Sequence, residues 1–233
     1  MLHRSARTYR QRMTLLPEAD RHPVRNETPS SVGVTRIAVA AIVAGIVGAL
    51  IAVGQVAVPP AVPPERFSYP LDGVPFAVVQ VVLFLHHVVI AAVVLAVFHA
   101  GAAGSRRSGR VGATIGAAGL VLLGLQELVA ILVGGETGDT ALVGLVGTGY
   151  GLFSILLGVG LVLLGIAVVR ARRWSGWRRG LPLVVGIYMF VPLTPSVLGP
   201  YWLGMLALGV WSLLCGALGA ALLIERQAPR PVG

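Results

Sequence analysis

The apolar run LVLLGLQELVAILVGG, residues 120–135, carries Gln126 and then Glu127 near its middle. A carboxylic acid in such a stretch is costly to ionise, and acids buried in this way mark proton and solute paths. Its chemistry depends on what stands beside it. The run FAVVQVVLFLHHVVIAAVVLAVFH, residues 76–99, offers Gln80 and His87, which are seven apart and share a helical face, with Ala91 one turn on. His86 points about 100° away from that face. A third run carries Thr148 and Tyr150. With a rise of about 1.5 Å per residue, Glu127 lies about 10 Å, Tyr150 about 14 Å and His87 about 16 Å from the same side of a bundle. Glu127, Gln126, His87, Gln80, Thr148 and Tyr150 are therefore expected to gather in one half of it. Glu127 shares its face with Gly116, Leu123, Gly124, Ala130 and Ile131, so it is expected to face protein and not lipid.

Other chemistries fit these residues less well. Haem between helices takes axial ligands from facing elements, whereas His86, His87 and His99 lie on one run. A catalytic zinc takes about three convergent ligands, and adjacent histidines diverge on a helix. Ser154, in GLFSILLG, lacks the setting of an intramembrane serine nucleophile, and Gln126 stands where a Glu-Glu protease needs its second acid. Neither a Walker motif nor a dinucleotide fingerprint is present. A lone cysteine, Cys215, builds neither a disulfide nor a thiol pair within one chain. No enzymatic activity, cofactor or metal is expected.

The elements that must position these residues are membrane helices. Apolar residues make up 56% of the chain and charged residues 12%, with a mean hydropathy of +0.85, against about 25% charged residues in soluble domains. Six segments reach the roughly 20 residues that cross a bilayer: 34–58, 76–99, 112–134, 141–169, 180–199 and 201–224. The fold class expected is all-α, a six-helix transmembrane bundle over 34–224, with a disordered tail at 1–33 and a second tail at 225–233. The fourth run is long enough that it must tilt, project, or bend at GTGYG, 147–151. Pro192, Pro195 and Pro200 predict a kinked or partly unwound end to the fifth, whose freed carbonyls, with Thr194 and Ser196, would extend the polar site. Met13 is a second candidate start, so no function is assigned to residues 1–12.

All 18 basic residues are arginines; seventeen fall before span one or at its start, between spans two and three, between four and five, or after six, and only Arg66 falls on the other side. By the positive-inside rule both termini are cytoplasmic, in a bacterial inner membrane. The same distribution excludes nucleic acid as the partner, because short basic clusters at membrane ends answer to anionic headgroups. Phe67, Tyr69, Trp174, Trp177, Tyr201 and Trp202 are expected as interfacial anchors, with a ligand lip of Arg66, Tyr69 and Asp72 as the alternative for the 59–75 loop. Packing faces are expected at Ala41, Gly45, Gly48 and Ala52, at Gly112, Gly116 and Gly119, and at Gly144, Gly147 and Gly151. Such faces also offer contact to a second copy or another membrane protein.

At ERFSYPLDG before one apolar helix, and at RRWSGWRRGLPLVVG before a proline-rich helix end, the chain resembles uncharacterised six-helix integral membrane proteins of high-GC bacteria. The resemblance implies the topology and brings no activity with it. Two roles follow from the residues. The first is a non-enzymatic structural or accessory membrane component, with the polar residues as interhelical glue. The alternative is a proton-linked carrier of a small solute using Glu127 and His87, which requires Glu127 within a water-mediated hydrogen bond of His87 or Tyr150, lining a cavity open to the outer face; a carboxyl facing lipid or sealed by aliphatic packing counts against it.

Overall fold

The computed structural model describes residues 31–227. Residues 1–30 of the tail expected at 1–33, most of the arginines ahead of the first span, and residues 228–233 lie outside the described residues; the first helix begins at Ser31 and the last runs to Gln227, so both helices extend three residues into the tails expected at 1–33 and 225–233. Six helices long and apolar enough to cross a membrane follow one another: α1 (Ser31–Ala57), α2 (Gly73–His99), α3 (Arg107–Leu132), α4 (Ala141–Ala171), α5 (Trp177–Val197) and α6 (Tyr201–Gln227). The architecture is an all-α bundle. Among the described residues no strand forms, and Arg66 and Thr137 make one isolated antiparallel bridge.

Each helix packs on its neighbours in the chain, and α6 closes back on α1 and α2. That places α2 against α1, α3 and α6 together, while Val74, Val78 and Leu85 stay exposed on its remaining face. The seams are built where glycine lets backbones meet. On α3 and α4, a Cβ added at Gly160 would lie 2.6 Å from Gly116 Cα and 2.8 Å from the Gly112 carbonyl oxygen. On α1 and α6, a Cβ at Gly45 would lie 2.6 Å from the Ser212 carbonyl oxygen and 2.7 Å from Gly216 Cα. The third face expected to pack does not do so within the chain. Gly144, Gly147 and Gly151 have nothing within 4 Å of an added Cβ, because they lie on the side of α4 turned away from α3.

α4 runs unbroken for 31 residues through the GTGYG stretch. Thr140 caps its start, its hydroxyl accepting from the Val143 N–H at 3.3 Å, and Arg172 ends it in the left-handed region at φ 53°. α5 departs from regular helix where its prolines predict: α-helical over Trp177–Tyr188, it widens to a π turn over Met189–Leu193 and ends in a short turn over Thr194–Val197. Proline removes an N–H donor and so frees carbonyls. The Thr194 hydroxyl donates to the Met189 carbonyl at 2.6 Å and the Ser196 hydroxyl to the Pro192 carbonyl at 2.7 Å. These groups are therefore consumed within α5, and the expected extension of the polar site there is corrected.

The α1–α2 and α3–α4 loops are laced together at one end. Phe67 N–H donates to the Glu136 carbonyl at 3.0 Å, Ser68 N–H to Gly134 at 3.2 Å and Gly138 N–H to Glu65 at 2.9 Å, while the Arg66 guanidinium donates to the Gly135 carbonyl. Tyr69 stands edge-on to Tyr201 at 5.0 Å. Arg66 and Tyr69 thus tie loops down, and neither is held out as a ligand lip. In the same region the Thr137 hydroxyl, 2.5 Å from Asp139 Oδ1, holds that carboxyl below its ordinary range. At the opposite end Gly101 (φ 79°) and Gly104 (φ 60°) supply the left-handed residues of the tight α2–α3 turn. Trp174 is 3% exposed and packs in the core, so it is no headgroup anchor; Trp177 and Trp202 are exposed.

Candidate functional site

Glu127 is buried on α3, one turn from Gly124. Gly124 allows α2 to come close, since a Cβ there would lie 3.2 Å from both His87 Cβ and Phe84 Cδ2. His87 is thereby brought level with the acid, and the one-turn offset sets their spacing. The Tyr150 hydroxyl on α4 donates to Glu127 Oε2 at 2.6 Å, at the short end of the range for such bonds. Gln80 on α2 is buried close to the Glu127 carboxyl and the Tyr150 hydroxyl. Three helices therefore meet in one polar cluster.

The expected Glu127–His87 pair is present as a 3.9 Å approach between Glu127 Oε1 and His87 Nδ1. It is not a hydrogen bond, because that nitrogen donates to the Leu83 carbonyl of its own helix at 2.7 Å. This contact assigns the Nδ1–H tautomer to the neutral ring. Tyr150 is thus the first partner of the acid and His87 an electrostatic neighbour.

Two of the residues expected to gather here stand apart. Gln126 is buried, but its amide donates to the Val146 carbonyl at 3.0 Å. It lies over Gly149, where a Cβ would sit 2.9 Å from its amide atoms. It closes the α3–α4 contact beside the cluster and does not enter it. Thr148 is exposed, and its hydroxyl donates to the Gly144 carbonyl of its own helix at 2.9 Å. Thr148 and Tyr150 are two residues apart, about 200° around a helix, so only one of them can face Glu127.

The structure adds His86, Trp211 and Ser212, which sequence reasoning left out. The His86 ring stacks on that of His87, centroids 5.5 Å apart and planes at 27°. Trp211 on α6 lies 6.2 Å from the first ring and 6.4 Å from the second. All three added residues are buried. A signal did exist for Trp211: it stands ten residues into its helix, about 15 Å from the end, too deep for the interfacial position that tryptophan favours.

The cluster is closed. On the loop side it is covered by Ala130, Val133, Val143 and Val146 with Phe67 against them. Deeper, α2 and α6 continue with fully buried Ile90, Val93, Val94, Val97, Leu218 and Leu222. Two clefts lie elsewhere. One is a groove between α1 and α6 along Gly45 and Gly216, and the other lies between Arg106 and Arg173 at the end carrying the α2–α3 turn. The cavity required of a carrier open to one face is thus not found at Glu127, and the reason is the aliphatic plug above it.

Fold and site together define a polytopic α-helical membrane protein with a carboxyl, a phenol, an amide and two imidazoles enclosed among its helices. No family model, curated protein or solved structure matches the chain. Its function is therefore argued from these residues.

Proposed function

We propose that the chain is a proton-linked carrier of a small solute, with Glu127 as the group that takes and releases the proton and the closed bundle as its occluded state. Supporting this reading is the enclosure of one acid and two imidazoles at a junction of helices. Interhelical glue needs only neutral polar groups, worth about 0.6–2 kcal/mol per contact. An acid and two histidines at that depth are costly and mark proton relays. The seal of Phe67, Val133, Val143 and Val146 counts against this reading unless it opens, so on it the plug must move for Glu127 to meet the aqueous phase. The arginine distribution then orients the laced loops outward and both termini toward the cytoplasm of a bacterium, with Glu127 served from outside.

Infrared difference spectroscopy of the protein in lipid, with the medium acidified between about pH 8 and 5, tests the reading. A carboxyl signal that responds to the outer medium and is missing in Glu127→Gln is the expected result. A carboxyl that never responds leaves the cluster as glue and returns the role to a structural or accessory one.

That second reading has an observation of its own, the open glycine face of α4. Gly147 and Gly151 hold GxxxG spacing where an added Cβ would meet nothing within 4 Å among the described residues. For an accessory component the occupant is a second copy of the chain, meeting this face at close backbone approach. Gly147→Ile is then expected to abolish a dimer recovered by cross-linking in native membranes while leaving the melting temperature of the monomer unchanged. A wild-type chain that is strictly monomeric and recovers no partner removes the second reading.

A further inference from the structure

We propose that His86, Trp211 and Ser212 form a water-binding site where α1, α2 and α6 cross, and that this site is the inner end of a polar track leading from Glu127 past His87. Both ring nitrogens of His86 and the indole N–H of Trp211 are buried without a hydrogen-bond partner among the described residues. His86 and Trp211 are each 4% exposed and Ser212 is 5% exposed, so bulk solvent does not serve them. Buried polar atoms of native proteins are overwhelmingly paired, and an orphan points to a ligand or an internal water.

The complement of atoms suits water. A neutral imidazole offers one donor and one acceptor, indole one donor, and a serine hydroxyl both roles. One or two waters making the usual two to four bonds satisfy that set, whereas a charged solute finds no fixed countercharge beyond Glu127. The other groups facing the site are His87 on α2, Glu127 beyond it on α3, and the bare backbone of Gly48 on α1. Gly48 lets α1 approach the site closely: a Cβ there would lie 2.7 Å from Ser212 Oγ and 3.2 Å from His86 Cε1. The two imidazoles meet face to face and not nitrogen to nitrogen, so a proton passing between them travels through water. Beyond His86, valine, isoleucine and leucine fill the space between α2 and α6. The track is therefore bounded at both ends, polar from Glu127 beneath the plug of Val133, Val143 and Val146 to the middle of the bundle and dry past it.

This inference rests on the reading of Glu127 as a proton-handling group, and its test is separate. Water-edited solid-state NMR of the full chain in lipid, with nitrogen-15 in histidine and tryptophan, is expected to show magnetisation passing from water to the His86 ring and the Trp211 indole. Both are expected to exchange in deuterated buffer. Gly48→Ala, whose methyl would press on Ser212 and His86, should lose most of the transfer to His86 while that to surface histidine and tryptophan is unchanged. A wild-type His86 and Trp211 that receive nothing from water and stay protected overturn the proposal, whatever Glu127 does. If those signals appear while Glu127 proves unresponsive in the infrared, the water site stands and the carrier reading falls.

Discussion

Gly160→Val is expected to cost about 3 kcal/mol, the upper end of what inserting bulk into a packed core costs. The reason is what the new Cβ meets: Gly116 Cα at 2.6 Å and the Gly112 carbonyl oxygen at 2.8 Å. These are backbone atoms of the facing helix, which cannot rotate aside as a side chain would. The α3–α4 seam must then separate, and α4 carries Tyr150 away from Glu127 with it. Gly116, the partner across the same seam, behaves differently. Its own Cβ would sit at 3.6 Å from Gly160 C and Leu161 N, an ordinary contact. Gly116→Ala is therefore expected within about 1 kcal/mol of wild type, near the gain in helix propensity alone. Thermal unfolding in detergent, followed by far-ultraviolet circular dichroism, separates the two. Equal effects at Gly116 and Gly160 would show that the seam is not packed as described.

That asymmetry bears on what could be read from the residues in advance. Hydropathy and length sufficed for six helices, because lipid leaves the backbone little choice but intrasegment hydrogen bonds. Rise per residue gave depth, and depth brought Glu127, His87 and Tyr150 to one level. The direction in which a helix faces was harder to obtain, since it depends on which neighbours surround the helix. Thr148 shared the depth of Tyr150 and pointed the other way. Gly144, Gly147 and Gly151 resembled the working faces of α1 and α3 in composition, yet only the packing order of the helices decides which glycines meet a neighbour within the chain.

His86 shows the same limit from the other side. Turned about 100° from His87, it seemed destined for a different surface. Because α2 is enclosed by α1, α3 and α6, that other surface is interior too. Every span of a membrane bundle is apolar on most sides, so periodicity did not mark which faces of α2 meet protein. The plug over Glu127 was hidden for a further reason. It is made by a loop residue, Phe67, whose place follows from the lacing of Arg66 and Ser68 to the 134–136 backbone, and no periodicity encodes that.

Glu127 itself yields the second large effect, and the choice of replacement decides what is learned. Glu127→Ala removes the acceptor of the Tyr150 hydroxyl, leaving a buried donor unmade at about 1–3 kcal/mol, and opens a cavity that adds to the loss. Glu127→Gln keeps the shape and an oxygen that still accepts from Tyr150, so its stability should stay within about 1 kcal/mol of wild type. Tyr150→Phe should be costly in the Glu127 background and nearly free in Glu127→Ala, a coupling of about 1–2 kcal/mol in a double-mutant cycle. Strict additivity of the two would mean that the 2.6 Å contact carries no energy. The comparison with the infrared experiment then isolates the proton. A Glu127→Gln protein that melts with wild type but has lost its carboxyl response retains everything the cluster contributes as packing. What it lacks is the exchangeable proton, and any defect in solute movement it shows is traceable to that atom alone.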